Sequence, residues 1–407
     1  MSTGAPAPAR ELARAFDPAH LPPQFYEDPY PTYAALRDFA PVHRCPDGSY
    51  FLSRYADLDR IYRDRGNFSS DKRAVFGAKF GVDAPLYAHH TRSLVFNDAP
   101  YHTRVRRPLV EALSPAVLRG LEPALAELVD GLMGELRERG SFDLIEDFAA
   151  RIPVEVIGNL LGVPHGEREP LRGWSLAILG ALEPAITAAE SRRGNDAVTA
   201  FSAYLEALIG ARRRAPGPPG DLLSRLLAAR ELSAEELVQN CVFLLNAGHE
   251  TTTNLIGNGL WLLQRHPDIA AQLRRDPALV AGAVEECLRL ESPNQFGNRL
   301  VTGEVTVGGV RLAPGSYLTL CIGAANRDPG EFAAPERFDP GRRPNRHLAF
   351  AAGAHACVGM NVARLEAQVA LRRVLLGLPQ LRLRPGAVHS RRARFRGFAQ
   401  LPAQLGR

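Results

Sequence analysis

Cys357 lies in the stretch Phe350–Gly359, FAAGAHACVG, which ends where a helical pattern begins. Gly353 and Gly359 permit backbone conformations closed to other residues. A helix N-terminus adds unpaired N–H donors and positive partial charge. Both favour thiolate over thiol, so the context predicts a lowered thiol pKa and a sulfur ready to ligate or attack. The competing readings are an inert core cysteine and a nucleophile served by a distant histidine. A second chemical segment is Ala247–Thr252, AGHETT, midway along a long helical pattern. Gly and two Thr suit a helix interior poorly, and such a local weakness can mark a functional position. Gly248 leaves room for a ligand, Thr251 can bond back to a carbonyl and distort the helix, and Glu250 puts an acid beside an alcohol. That pair can relay protons. Glu286 and Arg289 share a helix face, as do His102 and Arg106. The first pair reads as a salt bridge; the second could clamp a carboxylate.

The pattern F-x-x-G-x-H-x-C-x-G over Phe350–Gly359, followed by Ala363-Arg364-x-Glu366, resembles the cytochrome P-450 superfamily, and the likeness runs from about Asp17 to the C-terminus. It departs at Ala351, where Gly is usual, and at Val362, where Leu is common. The resemblance implies a haem-thiolate monooxygenase that carries haem b, with Cys357 as the axial iron ligand. It implies that Phe350 shields the sulfur, that Ala247, Gly248, Gly353 and Gly359 border the haem, and that His102, Arg106, Arg299 and His355 meet its propionates. Thr251 would handle dioxygen and Glu250 would gate protons. Glu286 and Arg289 would form a buried structural pair tied to Arg337. The implied substrate contacts are Leu94, Val95, Phe243, Asn246, Gln295, Phe296 and Phe398.

Most of those contacts are apolar, so a mainly hydrophobic small molecule is expected. Asn246 and Gln295 suggest an oxygen-bearing ligand. No Arg or Lys falls in the expected cavity, which favours a neutral ligand over a free acid, although Arg73 and Lys79 lie in a nearby segment. The chain stops soon after the haem pattern, so electrons are expected from NAD(P)H through a separate ferredoxin reductase and ferredoxin. The family's basic docking face suggests Arg104, Arg107, Arg343 and Arg346. The alternatives are a peroxide-using haem enzyme and a non-catalytic haem or ligand-binding module.

Composition fits this picture. The 407 residues carry 49 basic and 44 acidic side chains, a net charge of +5. That is a modest excess, scattered in short Arg clusters such as Arg391–Arg396, and it gives no case for a nucleic-acid partner. The five cysteines are far apart and odd in number, against a disulfide framework or structural zinc. A reducing, cytoplasmic setting is expected, with no signal peptide and no membrane span.

These residues need elements to hold them. Residues 1–15 read as a disordered tail, and 16–407 as a single, mainly α domain with small β-sheets, the haem between the long central helix and the Cys-loop helix. Ser233 and Glu236 form a capping box that opens that helix over about 234–266. Residues 71–97 read as a long loop. Further helices are expected at Asp57–Arg65, at Asp276–Glu291 and from Cys357 to Leu376. Strands are expected at Val42–Arg44, Ser49–Ser53, Arg299–Val301, Val305–Val307, Val310–Leu312 and Tyr317–Cys321.

Overall fold

The central helix runs from Ala234 to Arg265, with Ser233 and Glu236 bonded reciprocally as the sequence predicts. At about 1.5 Å per residue it spans roughly 48 Å. It is buried on nearly every face, from Leu237 and Val242 near its start to Leu260 and Leu263 near its end. Helices Arg151–Leu161, Glu169–Gly180, Val280–Leu290 and Met360–Gly377 pack around it. The computed structural model describes residues 7–215 and 221–406. The Pro216–Gly220 break and the first six residues of the expected tail lie outside the described residues.

Small sheets flank the helices. A five-stranded sheet has the order Val42–Arg44, Tyr50–Leu52, Tyr317–Cys321, Phe296–Val301, Phe68–Ser69. Its one parallel pairing joins Tyr50–Leu52 to Tyr317–Cys321. Val305–Val307 and Val310–Leu312 form a hairpin, and Pro402–Leu405 pairs with both Ser141–Asp143 and Leu381–Leu383. Four strands have the bounds expected from sequence: Val42–Arg44, Val305–Val307, Val310–Leu312 and Tyr317–Cys321.

Two expectations are corrected. Residues 7–14 of the expected tail form a helix, Ala7–Arg14, which packs on helix Tyr30–Phe39 and buries Ala13. The segment 71–97 is not a structureless loop. It holds two helices, Arg73–Phe80 and Pro85–Arg92. Neither has a side-chain cap, and each has only eight residues. Helices that short are marginal alone; contacts with each other, and of the second with the central helix, hold them in place.

Candidate functional site

The Cys loop and the central helix face each other across a cavity. About 310 Å³ of it is open to the centre of a water-sized sphere, against the roughly 10–15 Å³ that one water needs. Its walls include Cys357, Phe350, His355 and Gly359 on one side, and Phe243, Asn246, Ala247, Gly248 and Thr251 on the other. Leu94, Val95, His102, Arg106 and Arg299 complete the set that sequence reasoning brings here. The loop is held by tight backbone geometry. Gly353 has φ +69°, and a Cβ there would meet the Tyr62 carbonyl oxygen at 2.3 Å. Ala351, the departure noted above, has φ +54°, which explains why glycine is usual there. The Cys357 N–H donates to the Phe350 carbonyl at 2.9 Å.

Cys357 is exposed to the cavity yet enclosed by protein. Burial pushes its thiol up; the Gly359 N–H, Arg106 and Arg364 pull the other way. The expected lowering is therefore outweighed by desolvation. Phe350 is covered by the Arg364 guanidinium, 4.7 Å from its ring centre.

On the central helix, Thr251 Oγ1 donates to the Ala247 carbonyl at 2.6 Å, as the sequence suggests, but the helix continues through it without a break. Gly248 serves packing as well as access: a Cβ would meet Ile157 Cδ1 at 2.2 Å. Glu250 points away from the cavity. Both its oxygens accept from Arg392 Nη1, at 2.6 and 2.7 Å, and Arg392 Nη2 also donates to the Leu176 carbonyl. Burial pushes Glu250 up to about 7 against the pull of Arg392.

His102 and His355 have ring centres 3.9 Å apart. Burial drives both down, to about 4 and about 2, helped by Arg106 and Arg299. His102 Nε2 is buried without a partner. Arg106 donates to the Ala356 carbonyl at 2.7 Å, and Arg299 to the Asn298 carbonyl at 2.8 Å. Lys72, not anticipated from sequence, is buried beside this cluster with an unpartnered Nζ.

Several expected contacts fall elsewhere. Gln295 donates to the Ser292 carbonyl at 2.6 Å and lies against Gly323, away from the cavity. Phe296 packs against Tyr33 and Phe51; its strand neighbours Gly297 and Asn298 line the cavity instead. Phe398 stacks on His389, ring centres 4.1 Å apart, and packs against Trp261. The C-terminal turn contributes Arg394 and Phe395 in its place. An arginine beyond the expected propionate pair Arg106 and Arg299 thus lines the cavity, where the sequence placed no further basic residue. Asn246 stays: its Oδ1 accepts from Ser175 at 3.0 Å, and its Nδ2 is buried without a partner.

Glu286 and Arg289 are fully buried and joined at 2.6 Å. The arginine that closes the cluster is Arg342, whose Nε donates to Glu286 at 3.1 Å. Arg337 is exposed and contributes only its carbonyl, to Arg289 at 2.9 Å.

The cytochrome P450 family model matches residues 185–378. A vitamin D(3) 25-hydroxylase of Pseudonocardia autotrophica is 37% identical over 394 residues, covering 94% of this chain and 95% of that protein. The chain belongs to the cytochrome P450 family. A biotin biosynthesis cytochrome P450 of Bacillus subtilis is 34% identical, covering 88% of this chain and 91% of that protein. The solved structure of P450BioI with an acyl carrier protein carrying hexadec-9Z-enoic acid superposes with a TM-score of 0.89, at 32% identity, over 94% of this chain and 99% of that one. This cytochrome P450 is therefore a haem monooxygenase, an oxidoreductase whose family carries haem on a cysteine thiolate. Among its described residues no helix is long and apolar enough to cross a membrane.

Proposed function

We propose that this cytochrome P450 inserts one oxygen atom of O2 into a mainly hydrophobic small molecule, with haem b held by Cys357 and electrons from a ferredoxin and its NAD(P)H-dependent reductase. The observation that carries this reading is the Cys357 sulfur, open to an enclosed cavity and faced by the Ala247–Thr252 segment. The residues fit a haem. His102 Nε2 and Lys72 Nζ are buried without partners, and Arg106 and Arg299 have no carboxylate within 4 Å among the described residues. Buried donors of this kind are costly unless acceptors arrive, and two propionates are suitable acceptors. Gly359 lines the cavity, and a Cβ there would meet nothing within 4 Å.

Haem on a thiolate supplies the O2 chemistry, the sulfur pushing electron density to iron and favouring O–O cleavage. The chain's own groups do the rest. Phe350 and its Arg364 cover keep water from the sulfur. His102, Arg106, Arg299 and His355 orient the propionates. Thr251 presents its hydroxyl oxygen to the cavity while its proton is held on Ala247. Glu250, titrating near neutral pH, can hold or release a proton, and the partly exposed Arg392 links it outward. A peroxide user or a haem carrier without turnover has no need of this buried acid–cation pair. Leu94, Val95 and Phe243 supply apolar contacts, and the free Asn246 Nδ2 suits an oxygen on the substrate.

The test is Cys357→His. The reduced carbon monoxide complex of the wild type has the thiolate-type spectrum, and the variant loses it. A variant that keeps that spectrum removes Cys357 as the ligand.

A further inference from the structure

Arg394 stands in the cavity wall without a direct ion pair among the described residues. Its backbone is fixed on both sides: its N–H donates to Glu183 Oε2 at 3.0 Å, and its carbonyl accepts from the Gln295 N–H at 2.8 Å. This pairing of the C-terminal turn with the segment after Pro293 sets Arg394 beside Asn298, whose Oδ1 accepts from Arg394 Nη1 at 2.5 Å. Asn298 is itself held by Thr319. The guanidinium is thus positioned before any ligand comes. Its remaining donors make no hydrogen bond among the described residues, and no carboxylate lies within 4 Å. Glu183 acts on Arg394 only through space: one of its oxygens accepts from the Ala393 and Arg394 backbone N–H groups, the other is buried without a hydrogen-bond partner, and its charge is shared with Arg392 and Lys79. Lys79 adds a second positive charge close by. His90, in the same wall, has a buried Nε2 without a partner.

Most of the remaining wall is apolar, including Leu94, Ile178, Leu179 and Phe395. Glu183 is the one acid set against both Arg394 and Lys79, so a neutral ligand would leave a buried surplus of positive charge, which is unfavourable. A planar carboxylate matches its paired donors. We propose that the substrate is an amphiphilic monocarboxylate, an apolar skeleton whose carboxylate is bound by Arg394 and the His90 imidazole. This rests on the monooxygenase reading and narrows its substrate class. It also reverses the neutral ligand that the sequence favoured. The haem propionates are a rival source of the same anion, but Arg106, Arg299, His102 and His355 gather at the Cys loop and are able to receive them.

The experiment is a spectral titration of the haem-loaded enzyme with tetradecanoic acid, its methyl ester and 1-tetradecanol, repeated on Arg394→Met and Arg394→Lys. The wild type binds the acid more tightly than the ester or the alcohol. Arg394→Met weakens the acid by roughly tenfold to a hundredfold, the range for a charged hydrogen bond, and leaves the alcohol nearly unchanged; Arg394→Lys keeps part of the preference. A wild type that binds the three alike, prefers the alcohol or binds no acid overturns the proposal without any variant. Equal losses of acid and alcohol in Arg394→Met also overturn it, and so does loss of haem from that variant, which would assign Arg394 to a propionate. The carbon monoxide spectrum of the same wild-type sample checks the monooxygenase reading separately, so failed acid binding in protein with that spectrum falls on Arg394 alone.

Discussion

At the level of single residues, the sequence motifs carry the chemistry and the structure supplies the partners. Glu250 and Thr251 are legible as an acid beside an alcohol, yet nothing near them in sequence names Arg392, which is 142 residues away. The Arg391–Arg396 cluster reads as surface charge. In the structure the segment bends and turns these side chains inward, so that Arg392, Arg394 and Arg396 reach Glu250, the cavity and Glu291. Thr251→Ala is expected to keep haem and substrate binding but to release more hydrogen peroxide per electron pair; product formed against reductant consumed measures it, and unchanged coupling removes Thr251 from oxygen handling. Glu250→Gln is expected to slow turnover by roughly a hundredfold, the scale of acid–base assistance. It also has a stability signature. The folded carboxyl titrates near 7, above its ordinary 4.5, so the folded state binds the proton more tightly. This group's contribution therefore falls as pH rises from about 4.5 to about 7 and is flat above. The melting temperature of Glu250→Gln relative to wild type should become more favourable across that window. A difference that does not change with pH would mean that Glu250 is already ionised throughout.

At the level of elements, strong local signals give reliable bounds. The capping box fixes the start of the central helix, and Pro267 follows its end. Helices Arg73–Phe80 and Pro85–Arg92 escape notice because they lack caps and depend on neighbours. The Glu286–Arg289 helix shows the same division. The i, i+3 spacing is visible in sequence, but Arg342 rather than Arg337 completes the cluster, because the turn at Asp339 brings Arg342 back onto Glu286. Glu286 accepts from Arg289, Arg342, Asn345 and the Asp339 N–H. Glu286→Ala would take the carboxylate from the buried Arg289 and the partly buried Arg342 and should cost about 3–5 kcal/mol. Arg337→Ala keeps the carbonyl that matters and should stay within about 0.5 kcal/mol of wild type. Denaturant unfolding of both variants decides between the two arginines, and a large loss in Arg337→Ala would restore it to the cluster.

At the level of the whole molecule, the question is where electrons enter. The basic residues suggested by sequence differ once their neighbours are known. Arg104 is paired with Glu236 at 2.5 Å and Arg107 with Glu231 at 2.8 Å, so their charges are largely answered within the chain. Arg346 reaches Glu331 only at 3.8 Å, and Arg343 is exposed. Both belong to the stretch that leads into Phe350 and the Cys loop. An acidic ferredoxin steered by these charges would arrive faster at low ionic strength, since salt screens exposed charges over about 10 Å at 0.1 M. Stopped-flow reduction with a bacterial ferredoxin should therefore slow as salt rises. Arg343→Glu and Arg346→Glu should slow it at low salt and flatten its salt dependence, whereas Arg104→Ala should change it little, because that arginine already has a partner. A reduction rate indifferent to salt, or one that falls most in Arg104→Ala, would move the docking face away from the 343–346 stretch.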